Sequence, residues 1–311
     1  MSPPKRGFEL LRDAGLRRVR PAARRPFRGL ECSVKLPKGV TKPLTKALQA
    51  LGAVRDCDSV GETLRGAGGP ASDEAVLSPL LAQAASLRPG RLAAAREVLQ
   101  AKPLAKALRS LERAAAEPQL LPLGRQPVVD VAPSLLTAQL SALFLHAGWQ
   151  VEVFAPLPLL QRPAGWGAPA GSAPRPRKAE GTTVNIRRKP WERALGVDRR
   201  RCETVHELRK GIREIRYSME FFSPLYRASP AFEARIASLV SIQTTLGCMH
   251  DIEVCLETVP AATKQPALVA VLRADYERLW ETFQATRASM AGSPAKASWL
   301  GALMEVPLPD A

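Results

Sequence analysis

The chain has 311 residues, 46% of them hydrophobic, and a formal net charge of +16. That apolar fraction is enough for a sizeable core, and the length suits two modest domains or one large one. The charge excludes a surface built for neutral partners and points to a polyanion: nucleic acid, an anionic membrane surface, or an inorganic or nucleotide polyphosphate.

Residues 1–30 place Leu10, Leu11, Leu16 and Val19 at roughly helical spacing among the arginines Arg17, Arg18, Arg20, Arg24 and Arg25. Pro21 and Pro26 hold any helix there to a short or kinked one. This basic start has no apolar h-region, so it does not read as a secretory signal, and scarce serine with Glu9 and Asp13 argues against a transit peptide. Pro37, Gly39 and Pro43 mark a turn and a helix start, and Leu44, Ala47, Leu48, Leu51 and Val54 form a seam that predicts a helix to about Leu64. A loop at 66–70 precedes two helices, 73–87 and 91–117, with Pro103 as a kink or break in the second. After a Pro-rich connection over 118–133, residues 134–147 form an amphipathic helix. His146 at its end reads as a surface or satisfied core residue. The most apolar stretch, 131–160, is interrupted by Pro133, Gly148, Pro156 and Pro158, which excludes a membrane span.

Residues 150–181 are rich in Pro, Gly and Ala and read as an irregular connection. A short helical approach at 191–196 leads to a helix over about 203–226. A long helix over 230–259 carries Phe232, Ile236, Leu239, Ile242, Leu246, Met249 and Leu256 inward, and Pro260 stops it. Another over 266–290 carries Leu268, Leu272, Tyr276, Leu279 and Phe283. Trp299, Leu300 and Leu303 predict a small docking helix in the tail. No strand is convincing; Val128-Val129, 150–154 and 182–186 are the only candidates. The chain reads as all-α bundles joined by short loops. Five cysteines (Cys32, Cys57, Cys202, Cys248, Cys255) with no C-x-x-C speak against a disulfide framework or a zinc ribbon. A reducing, cytoplasmic location is the simplest expectation. Cys248 and Cys255 read as small core residues.

The helix over 205–226 is the most informative. At about 100° per residue, Leu208, Ile212, Ile215, Met219 and Phe222 form one stripe, and His206, Arg209, Lys210, Arg213, Arg216, Tyr217 and Glu220 form the opposite one. Charged helix faces usually mix signs, because opposite charges four residues apart stabilise them. Here Arg209, Arg213 and Arg216 are like-charged neighbours, and Glu220 is the one acid, placed to orient Arg213 or Arg216. A row of repelling cations implies an anion lying against it.

The excess charge is confined to two blocks. Residues 1–66 carry 15 Lys and Arg against 6 Asp and Glu, and residues 162–216 carry the same numbers. Leu51-Gly52-Ala53-Val54-Arg55-Asp56 matches Leu246-Gly247-Cys248-Met249-His250-Asp251, each near the C-terminal part of a long helix and each preceded by an arginine-rich helix. A near-constant offset also sets Arg17 and Arg20 opposite Arg213 and Arg216. An internal duplication accounts for both blocks.

His206-x-x-Arg209-x-x-x-Arg213-x-x-Arg216-Tyr217-x-x-Glu220-Phe221, followed by Leu246-Gly247-x-x-His250-Asp251, resembles the conserved histidine α-helical domain (CHAD) family, over roughly residues 5–290. The resemblance implies an all-α fold of two antiparallel four-helix bundles related by a pseudo-two-fold, with basic residues lining a shared cleft. It divides the chain into a first bundle (1–149), a connection (150–195), a second bundle (196–292) and a tail. It implies non-catalytic binding of inorganic polyphosphate, often on polyphosphate granules, with no cofactor and no metal. The binding set it implies is His206, Arg209, Lys210, Arg213, Arg216, Tyr217 and His250, with Arg17, Arg20, Arg24 and Arg55 from the first repeat. The first repeat departs from the pattern: Leu10 and Asp13 stand where the His-x-x-Arg lead belongs. The E-x-E-x-K strand of the triphosphate-hydrolysing domains fused to some relatives is absent.

The chemistry of the row suits that ligand. Cations at i, i+3, i+7 and i+10 stand about 5–6 Å apart on a rigid support, and guanidinium grips two phosphate oxygens at once. His206 in isolation would be half-protonated near pH 6.5; the neighbouring Arg and Lys should lower that value and a bound phosphate favour the cation, so its charge could change on binding. Alternatively it serves as a structural, backbone-bonded histidine. His250 either touches ligand or supports the row from behind. Two other functions remain in view. Nucleic acid fits the charge, but aromatic residues are few and not interleaved with the basic rows. A phosphate-hydrolysing enzyme would need metal-binding acids; Asp56, Asp58, Asp251 and Glu253 are the candidates, but the D-x-D and D-x-E spacing puts each pair on different helix faces.

Overall fold

The computed structural model describes residues 33–67, 74–154 and 188–304. Among these, nine α-helices account for most of the chain: α1 (Thr41–Ala67), α2 (Glu74–Gln100), α3 (Lys102–Ala116), α4 (Val128–Phe144), α5 (Pro190–Leu195), α6 (Arg199–Phe222), α7 (Pro230–Thr258), α8 (Pro266–Ala291) and α9 (Ser293–Met304). The described residues form no strand. A single antiparallel bridge joins Val34 to Leu120. The all-α fold is as the pattern demands, and Val128-Val129 lies inside α4.

Helix limits follow local chemistry. Asp198 caps α6 by accepting from the Arg201 amide at 3.1 Å, and Ser229 caps α7 by accepting from Phe232 N–H at 3.2 Å, with Pro230 at the first helical position. Gly196, at φ +71°, ends α5 in the left-handed conformation that a side chain would resist. The break expected near residue 90 is not there: α2 runs through Pro89-Gly90, and the chain breaks at Ala101. Pro89 is exposed, so water can satisfy the carbonyl it strips of a partner. Pro103 instead falls in the first turn of α3, where its missing N–H costs nothing.

One continuous apolar core joins both halves of the chain. It runs from Val60 and Leu64 of α1 through Leu136 and Leu140 of α4 to the inner faces of α6, α7 and α8, and on to Trp299 and Leu303 of α9. The predicted stripe of α6 is wholly buried: Leu208, Ile212, Ile215, Met219 and Phe222. Full burial of each such side chain stabilises by about 1.5–3 kcal/mol. Cys255 belongs to the core, whereas Cys248 is exposed, contrary to the core role expected of it. Around α1 pack α2 and α3; α6, α7 and α8 pack together; and α1 lies against α7. The helix expected at the end of the first bundle, α4, packs on α6 and α9. The turn after α4 lies close against α6, where a Cβ on Gly148 would stand 2.6 Å from Leu208 Cβ. His146 accepts the Gly148 amide at 2.9 Å, so it is a capping residue of this turn.

Candidate functional site

Packing α1 against α7, and α7 against α6, brings the two matching sequence elements and the basic face of α6 together. A cleft of about 420 Å³ opens between the three helices. Helix α6 lines it with His206, Arg209, Lys210, Arg213 and Glu214. Helix α7 contributes His250 and Asp251. Helix α1 contributes Thr45, Gln49, Ala53, Arg55 and Asp56, so the 51–56 element sits in the middle of the helix rather than its C-terminal part.

Six of the eleven expected residues therefore share one cleft: His206, Arg209, Lys210, Arg213, His250 and Arg55. Arg216 and Tyr217 do not line it. The Arg216 guanidinium stacks over the Tyr217 ring at 4.3 Å and meets Glu220 at 3.2 Å, so it is held by its own helix. Arg17, Arg20 and Arg24 lie outside the described residues. The cleft also holds residues the reading did not assign to ligand binding: Thr45, Gln49, Glu214 and the two carboxylates Asp56 and Asp251. The acids had a legible signal, since they are the same final position of the two repeated elements.

The histidines are paired. The His206 and His250 rings lie 4.3 Å apart with a 39° tilt. His206 Nδ1 is buried and has no hydrogen-bond partner. His206 is pushed down to about 3, first by burial, then by His250 and by Lys210, Arg209 and Arg213. Burial adds to the lowering expected from the cationic neighbours: removing an imidazolium from water among cations disfavours its charge twice over. His206 is a neutral polar group in the cleft at pH 7. Behind it, Tyr276 O–H donates to Glu253 Oε1 at 2.7 Å, and Glu253 Oε2 stands 3.5 Å from His250 Nδ1. Tyr276 is fully buried, so it fixes the Glu253 carboxylate beside the histidine pair.

The permanent charges of the cleft are cationic in excess. Lys210 Nζ rests on Glu207 at 2.5 Å. Arg209 has its affinity for its proton reduced mainly by burial, partly offset by Asp251, but a guanidinium keeps its charge in proteins. Asp56 is raised above the ordinary carboxylate range, chiefly by burial, against the opposing pull of His250 and Arg55. Three arginines and a lysine thus face two aspartates and Glu214 across an open cleft. Among the described residues no cluster of three or more His, Cys, Asp or Glu is arranged to hold a metal ion. Nor is any described helix long and apolar enough to cross a membrane.

The CHAD domain family model matches residues 12–260 of the chain. No curated protein and no solved structure matches it significantly.

Proposed function

The chain belongs to the CHAD domain family, and from that membership and the cleft we propose that it binds inorganic polyphosphate without catalysing a reaction on it. The single observation that carries this reading is the convergence of Arg209, Lys210, Arg213 and Arg55 from two helices on one open cleft. A flexible chain of phosphates presents closely spaced charges with no bases or hydrophobic faces. Rigidly held guanidinium and ammonium groups at helical spacing match it. Cleft cations that repel one another in the free protein are relieved when phosphate lies between them. His206, neutral and polar, supplies a hydrogen bond rather than charge. On this reading the protein resides in the cytoplasm and associates with polyphosphate granules.

The test is a side-by-side titration of long-chain polyphosphate and single-stranded DNA at low and raised salt, with wild type and the Lys210→Gln/Arg213→Gln variant. Polyphosphate should bind at both salt concentrations, and the double variant should lose most of that affinity while keeping its helicity. DNA binding as tight as polyphosphate binding at raised salt would overturn the assignment. So would an unaffected double variant.

One observation favours a second reading. Asp56 and Asp251 reach the same cleft from separate helices, so the objection from spacing along one helix does not apply to this pair. A phosphate-hydrolysing activity would use such acids to hold a divalent cation. Magnesium-dependent phosphate release from polyphosphate that disappears in Asp251→Asn would establish it over simple binding.

A further inference from the structure

Lys42 and Lys46 are exposed on α1. On a helical projection they fall within about 80° of Gln49, Ala53 and Asp56, three residues that line the cleft. They extend its rim towards the start of the helix, and from Ala53 back to Lys42 the rise is about 16 Å at about 1.5 Å per residue. Among the described residues neither lysine has an ion-pair partner. The first turn of α1 holds no acidic side chain.

The segment that leads into α1 lines a second groove of about 460 Å³, against the end of α3. Its cations are Lys35, Lys38 and Arg113, and Glu117 is its one carboxylate. The backbone fixes this groove. Lys35 N–H donates to Gln119 O at 3.0 Å, and Leu121 N–H donates to Ser33 O at 2.9 Å. A Cβ on Gly124 would come within 2.0 Å of Ser33 O, so the approach of the two segments requires glycine. Gly39, at φ +81°, then turns the chain from the groove into α1.

We propose that Lys46, Lys42, Lys38 and Lys35 form a track that holds the outgoing phosphates of an extended linear polyanion whose first segment occupies the cleft. This rests on the polyphosphate reading and adds chain-length selection to it. A compact anion fills the cleft and never meets the track. A long chain meets both, and the second engagement is intramolecular, so even weak lysine contacts add to the overall affinity. The spacing suits a flexible strand, since Lys42 and Lys46 are helical neighbours about 5–6 Å apart. Lysine supplies point charges without demanding a fixed phosphate geometry.

The experiment measures Kd of tripolyphosphate and of a long-chain inorganic polyphosphate for wild type, for Lys42→Gln/Lys46→Gln, and for Lys210→Gln in the cleft. Circular dichroism confirms that each variant keeps its helices, as exposed lysines allow. The track variant should lose about three- to tenfold in long-chain affinity. Its salt slope for the long chain should flatten by about 1.4, at roughly 0.7 per lost phosphate contact. Its tripolyphosphate affinity should not change, whereas Lys210→Gln should weaken both ligands. Equal losses on both ligands, or an unchanged long-chain Kd in the track variant, overturn the track and leave the cleft reading standing. Wild type that binds neither ligand removes the cleft reading and the track with it.

Discussion

Replacing Arg213 by glutamine removes one of four permanent cations from the cleft and leaves a shorter, neutral polar side chain. Arg55, Arg209, Lys210 and Arg213 all line the cleft. If each neutralises one phosphate, the logarithm of the binding constant should fall with the logarithm of salt at about −2.8, taking roughly 0.7 per contact for a single strand. Raising salt from about 50 to about 200 mM then weakens wild-type binding about fiftyfold. In Arg213→Gln the slope should shrink to about −2.1, and the same salt step should cost only about twentyfold. At the lower salt the variant should already be weaker, because a charged hydrogen bond contributes about 1.5–3 kcal/mol, equivalent to about ten- to 150-fold. Isothermal titration calorimetry at four salt concentrations, with a short polyphosphate that fills the cleft without reaching the lysine track, reads both quantities. A wild-type slope flatter than about −1 would refute the four-cation account. A normal slope left unchanged by the substitution would refute the place of Arg213 in it.

The neutral state of His206 gives a sign-definite pH dependence. Its folded value, about 3, lies below the unfolded value of about 6.5, so the unfolded chain binds more protons between these limits. Stability is therefore undiminished above about pH 6.5 and falls as the pH drops towards 3; proton NMR should show the His206 imidazole not titrating between pH 5 and 8. Tyr276→Phe leaves Glu253 Oε1 without its 2.7 Å donor and should lower stability by about 1–3 kcal/mol, read as a drop in Tm; an unchanged Tm would contradict a stabilising role for that hydrogen bond. Gly148→Ala should cost about 1–3 kcal/mol by overpacking, since its Cβ would meet Leu208 Cβ at 2.6 Å; an unchanged denaturation midpoint would contradict the close packing of that turn on α6. Asp56→Asn removes an acid from a cationic cleft and should tighten polyphosphate binding severalfold at low salt, an effect that raised salt should abolish.

Periodicity determined the inward faces of the later helices, but it missed the true break at Ala101 and the start of α4 at Val128, inside the expected Pro-rich connection. The α6 stripe from Leu208 to Phe222 is buried as its spacing requires, because a 3.6-residue repeat leaves an apolar stripe only one way to leave water. The basic stripe opposite it, and the repeated Leu-Gly-x-x-x-Asp elements, were equally plain in the sequence. Proline rules did less well. Pro89 and Pro103 are the same residue type, but one sits in an exposed helical turn and the other at a helix start, and local sequence does not distinguish those settings. The site itself needed the tertiary structure. A helical wheel puts Arg213 and Arg216 on one face, yet only Arg213 lines the cleft, because where α1 crosses α6 and α7 decides which stretch of the row is enclosed. The neighbouring cations that oppose a charge on His206 were legible in the sequence, but the burial that is the larger cause of its neutral state was not. Composition and spacing determined that this chain carries rows of unbalanced cations on helices. The packing of α1 on α7 decided which of them meet across one cleft, because electrostatic partners are set by distance in space.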